Sequence, residues 1–336
     1  MAVTVLDVDD LARRAERALA PTRPGAKVSD VDQFTGGTSS LTYGATLAEP
    51  GAADRRIVIK AAPPGIEPVR NRDVLRQARI LQLLSSVDGV AVPEILATDA
   101  GAPVEVPPLF VMSFVDGESY EPRLAATESS ATKEQIGDRA AAAATMAALL
   151  HAVETDDPRL EGERITDLVA EVGRWSKAFS TVEDDLRPGA DAIEAKLLAS
   201  IPEPLAPSVL HGDWRLGNMQ CNGSSIDAVI DWEIWSLGDR RLDLGWFLLL
   251  IDEKHPNCVR QDTGLPTPAE LVRSYEAATG VTVQDLAWFE ALVRYKQAAV
   301  SALIAKNNRK VPQPGVDIDR MVNIIPQLLS WAGDFV

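Results

Sequence analysis

Cysteine is nearly missing from this chain of 336 residues: Cys221 and Cys258 are the only two. Two thiols cannot build a disulfide framework, and their scarcity fits a reducing compartment, so a cytoplasmic location is expected. Histidine is almost as rare. His151, His211 and His255 stand too far apart for a metal-ligand spacing, and no Cys-x2-Cys accompanies them. Positive charge is also short, with 33 Lys and Arg against 49 Asp and Glu, a net charge of −16. That deficit argues against nucleic acid or an anionic membrane as the main partner, because both reward Lys and Arg. No apolar run is long: Ala140–Leu150 falls well below the ~20 residues a bilayer crossing needs. The stretch Met1–Asp10 is acidic and lacks the basic-then-apolar order of a signal peptide. Gly-x-Ser-x-Gly, a Walker A loop and a dinucleotide fingerprint are all missing. What remains is an ordinary globular balance, 46% hydrophobic and 24% charged, in a length that allows one large or two medium domains.

The charge is unevenly spread. Residues 1–115 carry 12 basic and 14 acidic side chains, a net of −2, whereas residues 116–336 carry 21 and 35, a net of −14. Texture changes at the same place. After a short amphipathic helix with Leu11, Ala15, Ala18 and Leu19 on one face, the first part reads as strands at Val31–Thr35, Leu41–Leu47, Arg56–Ala61 and Leu109–Val115. One helix, about Arg70 to Leu84, interrupts them. From Glu118 the pattern turns helical, with segments near Lys133–Val153, Ile165–Phe179, Ala190–Leu198, Pro268–Thr279, Val283–Lys306 and Asp317–Trp331. A β-rich island, Ser208–Asp231, lies among them. A boundary near Val115–Ser119 therefore divides a β-rich part, 1–115, from a helical part, 116–336.

The densest constellation is His211-Gly212-Asp213-Trp214-Arg215-Leu216-Gly217-Asn218, followed by Ile230-Asp231-Trp232-Glu233. Asp-x-x-x-x-Asn is the spacing of a kinase catalytic loop. The Asp accepts a hydroxyl proton, and the Asn turns back to hold magnesium. Asp231 follows the buried run Ala228-Val229-Ile230, so its carboxylate emerges at a strand end and completes the metal site. Phosphoryl transfer needs this set because its transition state spreads negative charge over oxygens that cations must neutralise. A second constellation, Gly36-Gly37-Thr38-Ser39-Ser40, lies between two strands, where paired glycines let backbone amides approach phosphate oxygens. A hairpin turn has the same composition. The following strand, Ile57-Val58-Ile59-Lys60, ends in a lysine placed as the kinase lysine that pairs the α and β phosphates.

In this order, the glycine pair, Lys60, Asp213, Asn218 and Asp231 resemble the aminoglycoside phosphotransferase-type kinases, small-molecule kinases that share the eukaryotic protein kinase fold. The resemblance spans roughly Gly36 to Leu250. The string His211–Asn218, with Asp231-Trp232-Glu233, Gly238-Asp239 and Asp243-Leu244, is similar to the branch that includes kinases of hydroxyacyl-CoA thioesters. It implies an α+β, two-lobed protein-kinase-like fold, with a β-rich amino lobe, a helical carboxyl lobe and an ATP (or GTP) and Mg2+ site between them. Asp213 is then the catalytic base, Asn218 and Asp231 the magnesium ligands, and Lys60 the ATP-holding amine. Phe110–Val115 is the hinge, with adenine against Met112, Ser113, Phe114 and Val115. His211 and Asp243 brace the catalytic segment, and His151 is a packed helix-end histidine.

One position departs from the family. The helix after Lys60 is expected to present a glutamate to it, yet Gln77 stands there, with Asp73 four residues earlier as a substitute. An uncharged partner opens a second reading, a weak or catalytically silent nucleotide-binding protein on the same fold. A protein kinase is disfavoured by the missing Ala-Pro-Glu after Asp231. The aromatic stripe Trp232, Trp235, Trp246 and Phe247 reads as core, with Trp235 also a candidate for the acceptor pocket. The expected partner is a small hydroxylated molecule. The net of −14 points to cationic aminoglycosides, whereas the cluster Lys306, Arg309 and Lys310 would receive the phosphates of a CoA ester.

Overall fold

The computed structural model describes residues 6–34, 40–312 and 317–336. Helix α1, Val8–Leu19, starts where the Asp7 carboxylate accepts the Asp9 and Asp10 N–H groups, and it buries Leu11, Ala15 and Leu19 on one face. Strands β1 (Lys27–Gln33), β2 (Leu41–Ala48), β3 (Arg55–Ala61), β4 (Ile95–Asp99) and β5 (Leu109–Ser113) form one antiparallel sheet ordered β1-β2-β3-β5-β4. Central β3 is buried on both faces. Ile57, Ile59 and Ala61 pack with α1, while the two-residue period turns Val58 and Lys60 to the opposite face. Helix α2, Val74–Leu84, covers that second face.

Beyond Ser113 the elements are mostly helical. Helix α3, Lys133–His151, opens on a Thr132–Gln135 capping box. Its Ala140, Ala143, Ala144 and Ala147 are buried, which lets neighbouring backbones approach closely. Next come β6 (Ile165–Thr166), α4 (Leu168–Phe179), α5 (Ala190–Ala199) and β7 (Ser208–Leu210). A hairpin of β8 (Met219–Asn222) and β9 (Ser225–Val229) follows, then β10 (Ser236–Gly238), which pairs with β6 and β7. Helices α6 (Arg241–Ile251), α7 (Pro268–Thr279), α8 (Leu286–Lys310) and α9 (Ile318–Gly333) complete the chain. A first core joins α2 and the sheet's inner face to α3, α6 and α7, and a second joins α4, α5, α8 and α9.

Four local readings shift. Strand β1 begins at Lys27 rather than Val31, because Asp30 adopts φ +52° in a bulge that breaks the alternation the sequence shows there. Strand β4 has no counterpart in the sequence reading; as an edge strand with an irregular register it fully buries only Leu96. Helix α2 starts at Val74, after a tight turn at Arg70–Arg72, because Asp73 caps it. Helix α6 is apolar nearly all round, so no stripe betrays its period.

Candidate active site

The loop between β7 and β8 carries His211 to Asn218, and its backbone is tied from below. Asp243, fully buried on α6, accepts the His211 N–H at 2.6 Å and the Gly212 N–H at 2.8 Å. The His211 ring spans the same turn, with Nδ1 accepting the Asp213 N–H at 3.2 Å and Nε2 donating to the Ile230 carbonyl at 2.9 Å. His151 sits under Asp243, its Nε2 3.5 Å from Oδ2, while its Nδ1 meets the Tyr275 hydroxyl at 2.8 Å. Burial opposes ionisation of Asp243, but the His151 and His211 contacts hold its carboxyl below the ordinary range. Gly212 needs its hydrogen side chain. At φ +85° a Cβ would lie 2.7 Å from the Ile234 carbonyl oxygen.

This scaffold presents Asp213 with both oxygens occupied. Oδ1 accepts the Trp246 indole N–H at 2.6 Å, and Oδ2 accepts from Arg215 Nε at 3.1 Å and Asn218 Nδ2 at 2.9 Å. Burial pushes the Asp213 pKa up, but Arg215, His211, Lys296 and Asn218 together hold it below its ordinary value. Asp213 is thus an ionised acceptor at neutral pH. Asn218 also donates to the Asp213 backbone carbonyl at 2.9 Å, so its amide hydrogens are engaged and its Oδ1 is left to face elsewhere.

The β8–β9 hairpin then closes the geometry. Met219 pairs with Val229, and the Asn218 carbonyl accepts the Ile230 N–H at 2.9 Å, so Asn218 and Asp231 lie side by side at the hairpin's open end. Asp231 takes φ +66°, a strained value for a residue with a side chain, and its carboxylate is half-exposed. Lys60 reaches it from the sheet, with Nζ 3.4 Å from Oδ1. Two contacting pairs, Asp213 with Asn218 and Lys60 with Asp231, are thus brought to the same end of the hairpin by its strand pairing. An amide oxygen beside a carboxylate is a hard oxygen pair of the kind that suits magnesium with waters and phosphates completing the shell.

A cavity lined by Lys60, Gln77, Phe110, Met112, Ile230 and Asp231 adjoins this end of the hairpin. Gln77 lines it without touching Lys60, because its amide donates to the Asn71 carbonyl at 3.2 Å. Asp73 is no substitute partner either; its carboxylate caps α2 by accepting the Arg76 N–H. Lys60 pairs with Asp231 instead. Along the expected hinge, the Ser113 N–H donates to the Glu94 carbonyl and the Phe114 N–H to the Arg56 carbonyl. Arg56 lies 3.5 Å over the Phe114 ring, and Val115 follows half-buried. Ser40 is buried at the start of β2, while Gly36, Gly37, Thr38 and Ser39 lie outside the described residues.

Several participants escaped the sequence reading. Trp246, read there as core, is only half-buried and holds Asp213; one helical turn from Asp243, it carried a periodicity signal. Arg215 bridges Asp213 and Glu121, whose Oε2 accepts the Gly217 N–H at 3.1 Å. Burial raises the Glu121 pKa to about 7, against the pull of Arg215 and the Gly217 N–H. Trp235, by contrast, is buried under Arg76 and does not line the cleft that adjoins Gly212. In the Lys306–Lys310 cluster, Arg309 is ion-paired with Asp185 at 2.6 Å.

The Phosphotransferase enzyme family model matches residues 30–292. The chain belongs to that family. A solved putative aminoglycoside phosphotransferase from Ralstonia eutropha shares 22% identity with it, with 91% of this chain and 92% of that one covered at a TM-score of 0.73. An aminoglycoside phosphotransferase solved as a ternary complex with ADP and hygromycin B shares 15%, covering 95% and 98% at a TM-score of 0.57. The fold is thus the two-lobed, kinase-like fold of these phosphotransferases. Among curated proteins, mouse acyl-CoA dehydrogenase family member 10 is 26% identical over 90% of this chain and 29% of its own length. The Arabidopsis thaliana probable acyl-CoA dehydrogenase IBR3 is 25% identical over 77% and 34%. The phosphotransferase chain spans about a third of the length of these two relatives, so the activity in their names does not pass to it.

Proposed function

We propose that this phosphotransferase moves the γ-phosphoryl group of ATP (or GTP) to a hydroxyl of a small molecule. The observation that carries the reading is that the Asp213–Asn218 pair and the Lys60–Asp231 pair are held at the open end of the β8–β9 hairpin. In it, Asp213 orients the acceptor hydroxyl and takes its proton, helped by the fixed geometry that Trp246, Arg215 and Asn218 impose. Lys60 grips the α and β phosphates. Asn218 Oδ1 and Asp231 would hold Mg2+, which when bound neutralises phosphate charge. The base of the cavity beside Lys60 receives the purine, next to Met112, Ser113, Phe114 and Val115. In this reading the chain divides into 1–115 and 116–336, with the nucleotide held between sheet and helices.

Replacing Asp213 with Ala is expected to lower turnover at least ~100-fold while nucleotide binding stays within about twofold. Magnesium-dependent ADP release with hydroxylated acceptors, paired with calorimetry of nucleotide binding, measures both. Undiminished turnover would reject Asp213 as the base. The second reading, a silent nucleotide-binding protein, is favoured by Gln77, which is turned to Asn71 and gives Lys60 no counter-charge. Tight nucleotide binding with no Asp213-dependent turnover on any acceptor would establish it.

A further inference from the structure

A second cleft adjoins the catalytic loop at Gly212. It is walled by α4 and α8, with Trp175, Leu292 and Val293 as apolar lining and Lys296 as its cation nearest the loop. Lys296 lies on α8, inside the helix expected at Val283–Lys306, but no motif singles it out. Its Nζ donates to the Gly212 carbonyl at 3.0 Å and lies 4.2 Å from the centre of the Trp246 ring, whose indole N–H holds Asp213. An ammonium has three donors. Among the described residues Lys296 uses one of them, and no carboxylate comes within ion-pairing range of it. Two carboxylates line the cleft, Asp243, which accepts the His211 and Gly212 N–H groups, and Glu171, which is engaged with its own helix. It accepts the Trp175 indole N–H at 2.8 Å and sits 3.6 Å from Arg174. Burial lowers the Lys296 pKa while Glu171, Asp213 and Asp243 attract its charge from beyond ion-pairing distance, so its unused donors remain open to a ligand anion that reaches them.

We infer that this cleft takes an acceptor bearing an anionic group about one residue's length from its reacting hydroxyl, and that Lys296 binds that anion. The inference rests on the phosphotransferase reading above. In the step, the acceptor oxygen forms a bond to the γ-phosphorus as the bond to the β-phosphate oxygen breaks. The hydroxyl proton passes to Asp213, and ADP leaves. Lys296 takes no part in the proton transfer; it fixes which acceptor presents its hydroxyl. Its position also argues against a polycation, since an ammonium on the substrate would approach an ammonium of the protein in a partly desolvated site.

Three probes matched in length separate the cases: 4-hydroxybutyrate, 1,4-butanediol and 4-amino-1-butanol. Turnover is read as γ-phosphoryl transfer from ATP, and binding as the change in fluorescence of Trp175 and Trp246. The wild type is expected to favour the hydroxy acid over the diol by about tenfold or more in kcat/KM, mainly through KM, with the amino alcohol last. Lys296→Met should collapse that ratio toward unity, and Lys296→Arg should restore it. A role confined to bracing the Gly212 carbonyl would lower all three probes together and leave their ratio unmoved, which overturns the inference. So would a preference for the amino alcohol, or no saturable binding of the hydroxy acid. If the hydroxy acid binds in a Lys296-dependent way but no probe receives phosphate, the anion site stands and the transfer reading falls.

Discussion

At the residue scale, the catalytic loop is held by groups whose value depends on where they are buried. Glu121 accepts from Gly217 and lies near Arg215, yet its Oε1 is buried without a partner. Burial puts its folded pKa at about 7, above the ordinary 4.5 of an unfolded Glu. A raised carboxyl pKa contributes stability that is complete below about pH 4.5 and is lost as pH rises through about 7. The loss is on the order of 3 kcal/mol. Glu121→Gln keeps an acceptor for Gly217 and removes the titration. Denaturant unfolding at pH 5 and pH 8.5 should show the wild type losing more stability than the variant across that interval. Parallel pH profiles would rule out Glu121 as the titrating group. Residue types were legible here where a spacing encodes them, as with Asp213 and Asn218. Arg215 and Trp246 stood in plain view, but an arginine two residues past an aspartate has many fates, and only the fold turns this one back onto its neighbour.

At the scale of elements, α2 is anchored differently from the expectation raised by Lys60. With no glutamate at position 77, the helix is clamped to the helical part of the molecule. Arg76 Nε lies 2.9 and 3.1 Å from the two Glu163 oxygens, and its guanidinium donates to the Trp235 carbonyl and stacks 4.0 Å from that ring. Arg79 adds a contact to Glu163 at 3.6 Å. The Glu163 side chain is 13% exposed, so the pair is screened far less than the Lys27–Glu16 pair, whose lysine is 73% exposed. Glu163→Gln should therefore cost about 1–3 kcal/mol, whereas Lys27→Gln should cost no more than ~0.5 kcal/mol. Urea titration of both variants checks the contrast; equal effects would mean that the clamp is not holding α2. Gln77 lines the cavity beside Lys60 from this helix, so the clamp also sets that wall. None of this was readable from sequence, because Glu163 lies 87 positions from Arg76 and carries no motif.

At the scale of the whole molecule, the change in composition near residues 115–119 marks where the sheet ends, but it does not mark a gap in the core. Val74, Leu81 and Phe110 from the first part share one buried cluster with Ala144, Trp232 and Phe247 from the second. Apolar burial that crosses the boundary couples the two parts, since neither can shed its partner without exposing that surface. Calorimetry is expected to give one cooperative unfolding transition. Two resolved transitions would show that the parts melt independently.

What the sequence alone determined is the family pattern and its order along the chain: a lysine near the end of β3, Asp213 and Asn218 in the loop before the β8–β9 hairpin, and Asp231 just after it. Short-range rules suffice for this, because strand alternation, loop spacing and the strand–Asp signal all act within about a dozen residues. The tertiary structure alone decided who partners whom. It gave Lys60 to Asp231 rather than Gln77, set Trp246 and Arg215 on the two oxygens of Asp213, and brought Lys296 to Gly212 across 84 positions. Those pairings follow from how the helices pack over their cores, and packing is a property of surfaces that meet only once the chain has folded.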